Sequence, residues 1–171
     1  PGLEVELVAV PRFVSILNRE AEISIHLERP SVDQLVTRKL TDYRLALYAS
    51  RAYLDRNPPI EKREDLAAHA WIDYVDDLLF SQELKFLSSF CRNPKVVFHS
   101  TSVIAQHQAA RSGLGIAVLP CFMASADPEL VALLPEEGIM RSYWISSRRE
   151  LHKSVRLRVL WDYVVELCAR E

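Results

Sequence analysis

Three consecutive hydroxyls, Ser100, Thr101 and Ser102, open a helix that the spacing predicts over residues 102–112. A helix start carries unpaired backbone N–H groups and the positive end of the helix dipole, so hydroxyls placed there can help hold an anion. They can equally serve as caps, the commoner use of Ser and Thr at that position. Asp73, Asp76 and Asp77, with Tyr74 among them, form a second group. Paired carboxylates suit general acid–base work. Their loop-like setting after Trp71 fits a solvated acidic turn, and ligand contact is the other reading. Cys91, Cys121 and Cys168 are odd in number, far apart and without a CxxC pair, which suits reduced thiols in the cytoplasm. No GxSxG elbow, glycine-rich phosphate loop or HExxH pair occurs. The sequence therefore nominates no catalytic residue, no metal ligand and no cofactor.

Composition narrows the classes further. With 171 residues, 49% hydrophobic and 26% charged, the chain can bury one good core or two small ones. A formal charge of -2 with evenly scattered Arg and Lys supplies no basic face for neutralising phosphates, so these residues are not expected to grip DNA themselves. No apolar run approaches a membrane span and no signal peptide opens the chain. The first residues, PGLEVELV, run directly into a predicted strand with no lead, as in a fragment.

Strands alternate with helices, which predicts an α/β architecture with mostly parallel sheets. Leu3 to Val8 alternates apolar and acidic residues with the period of a strand. Phe13, Ile16 and Leu17 supply a short helical stripe, and Ile23, Ile25 and Leu27 alternate again before Pro30. Two strand-like segments follow, Leu35 to Leu40 and Leu45 to Ala49, separated by Thr41 and Asp42. Ser50 then caps a helix ended by Pro58 and Pro59, and a short helix covers Lys62 to Ala68. The pattern continues with a strand at Trp71 to Val75, a helix at Gln82 to Cys91 and a strand at Val96 to His99. After the hydroxyl-capped helix come strands at Ile116 to Leu119 and Met140 to Ile145, and a closing helix at Ser154 to Cys168. In that last helix Leu157, Leu160, Trp161, Val164 and Cys168 form one core-facing stripe.

Two of only four glycines, Gly113 and Gly115, sit between the hydroxyl-capped helix and the strand after it. Gly113 can take the positive φ that a helix end calls for, and Gly115 lets the chain enter a buried strand at close quarters.

These residues carry a resemblance. "HSTSVIAQHQAARSGLGIAVLPCFMA" resembles the helix, glycine turn and strand near the end of the effector-binding domain of LysR-type transcriptional regulators. "RLALYASRAYLDRNPPIEKREDLAAHAWI" is similar to the central segment of that family, "PGLEVELV" and "AEISIHLERP" to its second and third strands. "RSYWISSRRELHKSVRLRVLWDYV" is similar to its return strand and closing helix. The pieces appear in the right order and span nearly the whole chain.

The resemblance implies two Rossmann-like subdomains of the type 2 periplasmic-binding-protein fold with a small-molecule cleft between them. On that reading residues 1–41 and 141–171 make subdomain one, and residues 42–140 make subdomain two. Ligands in such sheets sit beyond the carboxyl ends of strands. The effector-binding residues implied are Ser100, Thr101 and Ser102, with Val10 and Pro11 after the second strand and His26 and Arg29 at the end of the third. Thr101 and Ser102 match family positions whose hydroxyls often hold an anionic group. Arg29 could pair with an anionic effector through its planar fork or form a surface salt bridge. His107 falls where the family usually has an aliphatic residue; burial with its polar atoms satisfied is one reading, ligand binding the other.

The implied function is that of a small-molecule sensor in a bacterial regulator. DNA would be bound only through an N-terminal winged helix-turn-helix outside this chain. The setting would be cytoplasmic, with no membrane contact, in a homodimer or higher homo-oligomer. A solute-binding receptor of the same fold is the alternative, and an enzyme on this fold is a third class without a nominated nucleophile. The family's first strand and first helix have no counterpart before "PGLEVELV". Leu3 to Val8 would then pair with Ile23 to Leu27, borrow a strand from another molecule, or lie beside a gap filled by residues not in this sequence. The last of these is the expectation.

Overall fold

A computed structural model describes residues 2–10 and 21–170. In chain order its elements are β1 (Ile23–His26), β2 (Leu35–Ser50), α1 (Arg51–Leu54), β3 (Ala70–Asp73), β4 (Lys95–His99), α2 (Val103–Arg111), β5 (Ile116–Pro120), α3 (Cys121–Ala124), β6 (Leu130–Leu133), β7 (Ile139–Arg148) and α4 (Val155–Ala169). Single 3-10 turns occupy Arg63–Ala68, Asp76–Leu78, Gln82–Leu84, Leu87–Ser89 and Leu151–Lys153. The chain divides into two compact units: Pro1–Asp42 with Ser142–Glu171, and Tyr43–Arg141. β2 leaves the first unit for the second, and β7 returns.

In the first unit the strand order is β1-β7-β2. β1 runs antiparallel to β7, with Ile25 opposite Ile145. The stripe of α4 packs here: Leu157 and Trp161 are buried with Ile145, and Ile23, Val36, Leu40 and Val164 close around them. Leu160 and Cys168 are partly covered on the same side. Spacing near 3.6 residues per turn makes this single face possible.

Leu3 to Val8 does not form the predicted strand; no strand is assigned there, and Leu7 is 88% exposed. Alternation specifies which side of a strand faces a core, but the strand itself exists only with a ladder partner. The stripe of Phe13, Ile16 and Leu17 lies outside the described residues.

In the second unit the order is β4-β3-β5-β2, with β6 on the far side of β2. Leu45 to Ser50 are all buried, and so is the whole of β5. A strand covered on both faces reads as a continuous apolar run rather than an alternation. The sheets are mixed rather than mostly parallel. β3 is parallel to β4 and β5, whereas β2 is antiparallel to β5 and β6 because it enters from the other unit against their direction.

Other differences have local causes. β2 is one strand, not two: Thr41 and Asp42 interrupt the apolar run, yet exposed polar residues need not interrupt a ladder. Ser50 caps α1 as expected, its Oγ accepting from the Tyr53 N–H at 3.2 Å. The helix nevertheless ends at Leu54, before the prolines, and the Asn57 side-chain amide donates to the Tyr53 carbonyl at 2.7 Å. The helix expected over Gln82 to Cys91 is replaced by two separate turns. Leu84 and Phe86 are both buried, but residues two apart point to nearly opposite sides of an α-helix. Breaking the helix at Lys85 allows both to turn inward. β6 answers to no predicted strand: four residues between Pro128 and Pro135 give too short a pattern to read.

The glycine turn follows the expected chemistry. Gly113 has φ +82°. Its N–H donates to the Ala110 carbonyl at 3.0 Å, and the Leu114 N–H donates to the Ala109 carbonyl at 3.1 Å, the paired bonds of a Schellman end. At Gly115 a Cβ would lie 2.5 Å from the Ala70 backbone oxygen. Gly113→Val should cost about 1–3 kcal/mol in thermal or urea unfolding, since it forces a β-branched residue to positive φ. Gly115→Ala should cost more than Gly113→Ala, because its added methyl meets backbone and would push β5 from β3. Equal losses would show that close approach is not what requires Gly115.

His69 gives this unit an acid sensitivity. It is 1% exposed, and the Tyr53 hydroxyl, which accepts from the Ala70 N–H at 2.9 Å, contacts its Nδ1 at 3.1 Å. Its Nε2 is buried without a hydrogen-bond partner. Burial pushes the His69 pKa below the usual 6.5, with the charge of Asp65 opposing. The unfolded chain therefore takes up a proton near pH 6.5 that the folded chain takes up only at lower pH. Stability is full above the unfolded value and declines as pH falls below it. Melting curves between pH 7.5 and 5.5 should show a smaller fall for His69→Gln than for the natural chain. His26, also shifted down by burial, contributes to both.

Candidate functional site

Parallel strands β3 and β4 end side by side, with Asp73 in register opposite His99. The Ser100 N–H donates to the Asp73 carbonyl at 3.0 Å, and His99 Nδ1 donates to the Tyr74 carbonyl at 3.0 Å. These bonds carry the β4 end into the start of α2. There the Ser100 Oγ accepts from the Ser102 N–H at 3.1 Å, and the Ser102 Oγ accepts from the Ala105 N–H at 3.4 Å. Ser102 is the helix cap. Gln106, buried to 1% exposure, donates from Nε2 to the Ser100 carbonyl at 2.9 Å and pins the loop from below.

This arrangement separates the three predicted hydroxyls by role. Ser100 and Ser102 hold the loop and the helix start, while the half-buried Thr101 hydroxyl has no hydrogen-bond partner among the described residues. The N–H groups of Val103 and Ile104, the first two of α2, likewise have no acceptor among the described residues. Thr101 and these amides are open hydrogen-bonding groups at the positive end of a nine-residue helix.

Asp73 alters the electrostatics beside them. Burial raises its pKa above the ordinary carboxylate value and the charge of Asp76 adds to that; the Tyr74 backbone N–H and His99 work in the opposite direction. Asp73 is thus part of the cluster, whereas Asp76 and Asp77 are exposed on the 3-10 turn that follows. The acidic-turn reading suits those two and not Asp73. The missed signal was positional: Asp73 ends a strand whose parallel neighbour ends at the hydroxyls.

The remaining predicted residues belong to the first unit. The His26 Nε2 lies 2.6 Å from the Ser146 hydroxyl, with burial lowering the pKa of His26. Arg29 is exposed, its guanidinium carbon 5.5 Å from the centre of the Trp144 ring. This is a cation–π contact, and Arg29 forms no salt bridge among the described residues. Val10 is partly covered and outside any regular element. Pro11 lies outside the described residues. In the second unit His107 is buried but not fully satisfied: its Nε2 lies 3.4 Å from the Asp127 carboxylate without an aligned hydrogen bond. Among the described residues no group of three or more His, Cys, Asp or Glu is placed to hold a metal. Nor is any helix among them long and apolar enough to cross a membrane.

Parallel strands ending beside a capped helix are the α/β arrangement in which ligands commonly sit beyond the strand ends. The LysR substrate binding domain family model matches residues 1–169, and the chain belongs to that family. It is 26% identical to the HTH-type transcriptional regulator CrgA of Neisseria meningitidis serogroup C, over 97% of this chain and 58% of that protein. The chain thus spans somewhat more than half the length of this curated relative. Its fold matches the solved CrgA regulatory domain with TM-score 0.74 at 24% identity, covering 89% of this chain and 78% of that one. The Synechocystis CcmR regulatory domain, solved in complex with 2-PG, matches with TM-score 0.68 at 24% identity, covering 90% and 76%. The fold is the periplasmic-binding-protein-like α/β fold of LysR regulatory domains.

A carboxylate whose pKa is raised on folding destabilises the folded chain at every pH above that raised value. Asp73→Asn keeps an acceptor for the Tyr74 N–H and removes the charge. It should therefore melt at a higher temperature than the natural chain at pH 7, and the difference should shrink as the pH is lowered. A lower melting temperature at pH 7 would mean that the Asp73 charge is stabilising.

Proposed function

We propose that this chain is the effector-sensing part of a LysR-type bacterial transcriptional regulator. In this reading a small molecule is held at the start of α2, DNA is bound by a winged helix-turn-helix outside the chain, and the whole protein works as a cytoplasmic homo-oligomer without catalysis. The observation that carries the reading is the open helix start. Thr101 and the amides of Val103 and Ile104 offer unclaimed donors beyond the ends of two parallel strands. Family membership across residues 1–169 and a relative solved with a small molecule favour it over a solute-binding receptor.

The cluster also restricts the effector. An anionic group meets donors at the helix start, but the Asp73 carboxyl stands at the neighbouring strand end and repels a bare anion while ionised. A ligand that joins an anionic group to a hydroxyl or amine satisfies both, since its donor can bond Asp73.

A thermal-shift screen of small hydroxy and amino acids and phosphate esters, followed by calorimetric titration, tests this. Thr101→Ala should weaken the best ligand by about 1.5–3 kcal/mol, the worth of a hydrogen bond to a charged group. Its melting temperature without ligand should be nearly unchanged. Ser102→Ala should lose affinity and also about 1 kcal/mol of stability, because it removes the helix cap. Binding that is unaltered in both variants would leave the hydroxyls with structural roles alone.

A further inference from the structure

The first unit carries a second feature, remote in sequence from the α2 start. An open pocket of about 710 Å3 lies between the first residues of β2 and the α4 side of the unit, lined by Arg38, His152, Lys153, Arg158, Trp161 and Asp162 among others. Three cations face one carboxylate. They come from three places, a strand, a 3-10 turn and a helix. None of the three has an ion-pair partner within 4 Å among the described residues.

Arg38 occupies an informative position. Val36 and Leu40 pack into the core of this unit, and the period of two places Arg38 on their side of the strand. Arg38 is nevertheless exposed, so among the described residues no apolar side chain fills the space beside it. A charge pointing inward on an edge strand also discourages pairing with other chains. That accounts for Arg38 alone, and for neither Lys153 nor Arg158 on the opposite wall.

The floor is built and oriented. Trp161 is 4% exposed, and the His152 ring stands edge-on to it with centroids 4.8 Å apart. His152 Nδ1 contacts the hydroxyl of fully buried Ser147 at 3.2 Å, which fixes the ring and leaves Nε2 as its remaining polar atom. Arg and Lys side chains make charge-assisted hydrogen bonds to oxyanions, and the held His152 ring adds a hydrogen-bonding group of fixed direction beside them.

We propose that this pocket binds a compact polyanion, a small molecule bearing two or more phosphate or carboxylate groups, at a site separate from the start of α2. Arg38 and Arg158 would grip its oxyanion groups from opposite walls, with Lys153 adding charge. The proposal does not depend on how the α2 start is used.

Pyrophosphate and citrate serve as separate probes, titrated by calorimetry and by tryptophan fluorescence, with Trp161 as the local reporter. At least one should bind saturably in the natural chain. Arg38→Ala and Arg158→Glu should each weaken that binding at least tenfold, with melting temperatures close to that of the natural chain. Arg38→Lys should restore part of the loss, and Thr101→Ala should have no effect. A preference for pyrophosphate identifies phosphoryl groups as the chemistry read, and a preference for citrate identifies carboxylates. Absence of saturable binding by both probes, or binding insensitive to Arg38 and Arg158, overturns the proposal.

Discussion

β5 can lie against β3 because position 115 has no side chain. A Cβ there would sit 2.5 Å from the Ala70 oxygen, inside the contact distance of any real carbon and oxygen. Much of the second unit follows from that approach. With β5 seated beside β3, Ile116 pairs with Trp71 and Ala117 with Ile72, and all five β5 residues are buried. Gly113, two residues earlier, closes α2 with the paired bonds of its Schellman end, so the helix reaches β5 in one fixed turn. Ala109 and Ala110, small residues on the buried face of α2, pack into the core with Ala117 and Ile72. The other end of the helix is thereby brought to the ends of β3 and β4. The hydroxyls at residues 100–102 meet Asp73 because of a constraint at the far end of the same helix.

Legibility followed whether a signal was local. The Ser50 cap, the positive φ of Gly113 and the stripe of α4 each depend on a few neighbouring residues, and each could be read from the sequence. The Leu3 to Val8 alternation was just as clear and misled, because a strand depends on a partner that its own pattern does not name. The helix expected over Gln82 to Cys91 is absent for a related reason: an apolar-rich window does not show that no single helix face can bury Leu84 and Phe86 together. The direction of β2 was hidden too. Nothing in Leu45 to Ser50 records that the strand arrives from another unit and runs against its neighbours.

The candidate site was legible in its hydroxyls and not in its acid. Ser100, Thr101 and Ser102 announce themselves as a helix start, since caps are written in sequence. The division of labour among them is tertiary. It takes Gln106 beneath the loop and the Asp73 carbonyl beside it to leave Thr101 as the hydroxyl with no partner among the described residues. Asp73, Asp76 and Asp77 read as one group because the three are close in sequence. Burial separates them, since the first ends a strand between covered neighbours and the others lie on an exposed turn. Its cost in the folded chain is relieved when the carboxyl is protonated or meets a hydrogen-bond donor. In the proposed reading, a ligand that brings such a donor would be selected over one that lacks it and leaves the cost in place.

A sensor must turn such binding into a change that is felt elsewhere, and a ligand can shift a conformational balance only by its differential affinity for the two states. The parts of the second unit that hold the α2 start are tied to one another by backbone bonds, a buried glutamine and a fixed helix end, so a ligand held there as proposed would meet a loop already ordered. The chain itself passes between the units at Asp42–Tyr43 in β2 and at Arg141–Ser142 in β7. Both crossings fall within strands, whereas hinge residues most often lie in loops or at element ends. Side chains flank each crossing on its own side: Ser142 donates to Asp42 at 2.5 Å within the first unit, and Arg141 pairs with Glu83 within the second. Neither tie spans a crossing; what continues from one unit to the other at these points is strand backbone.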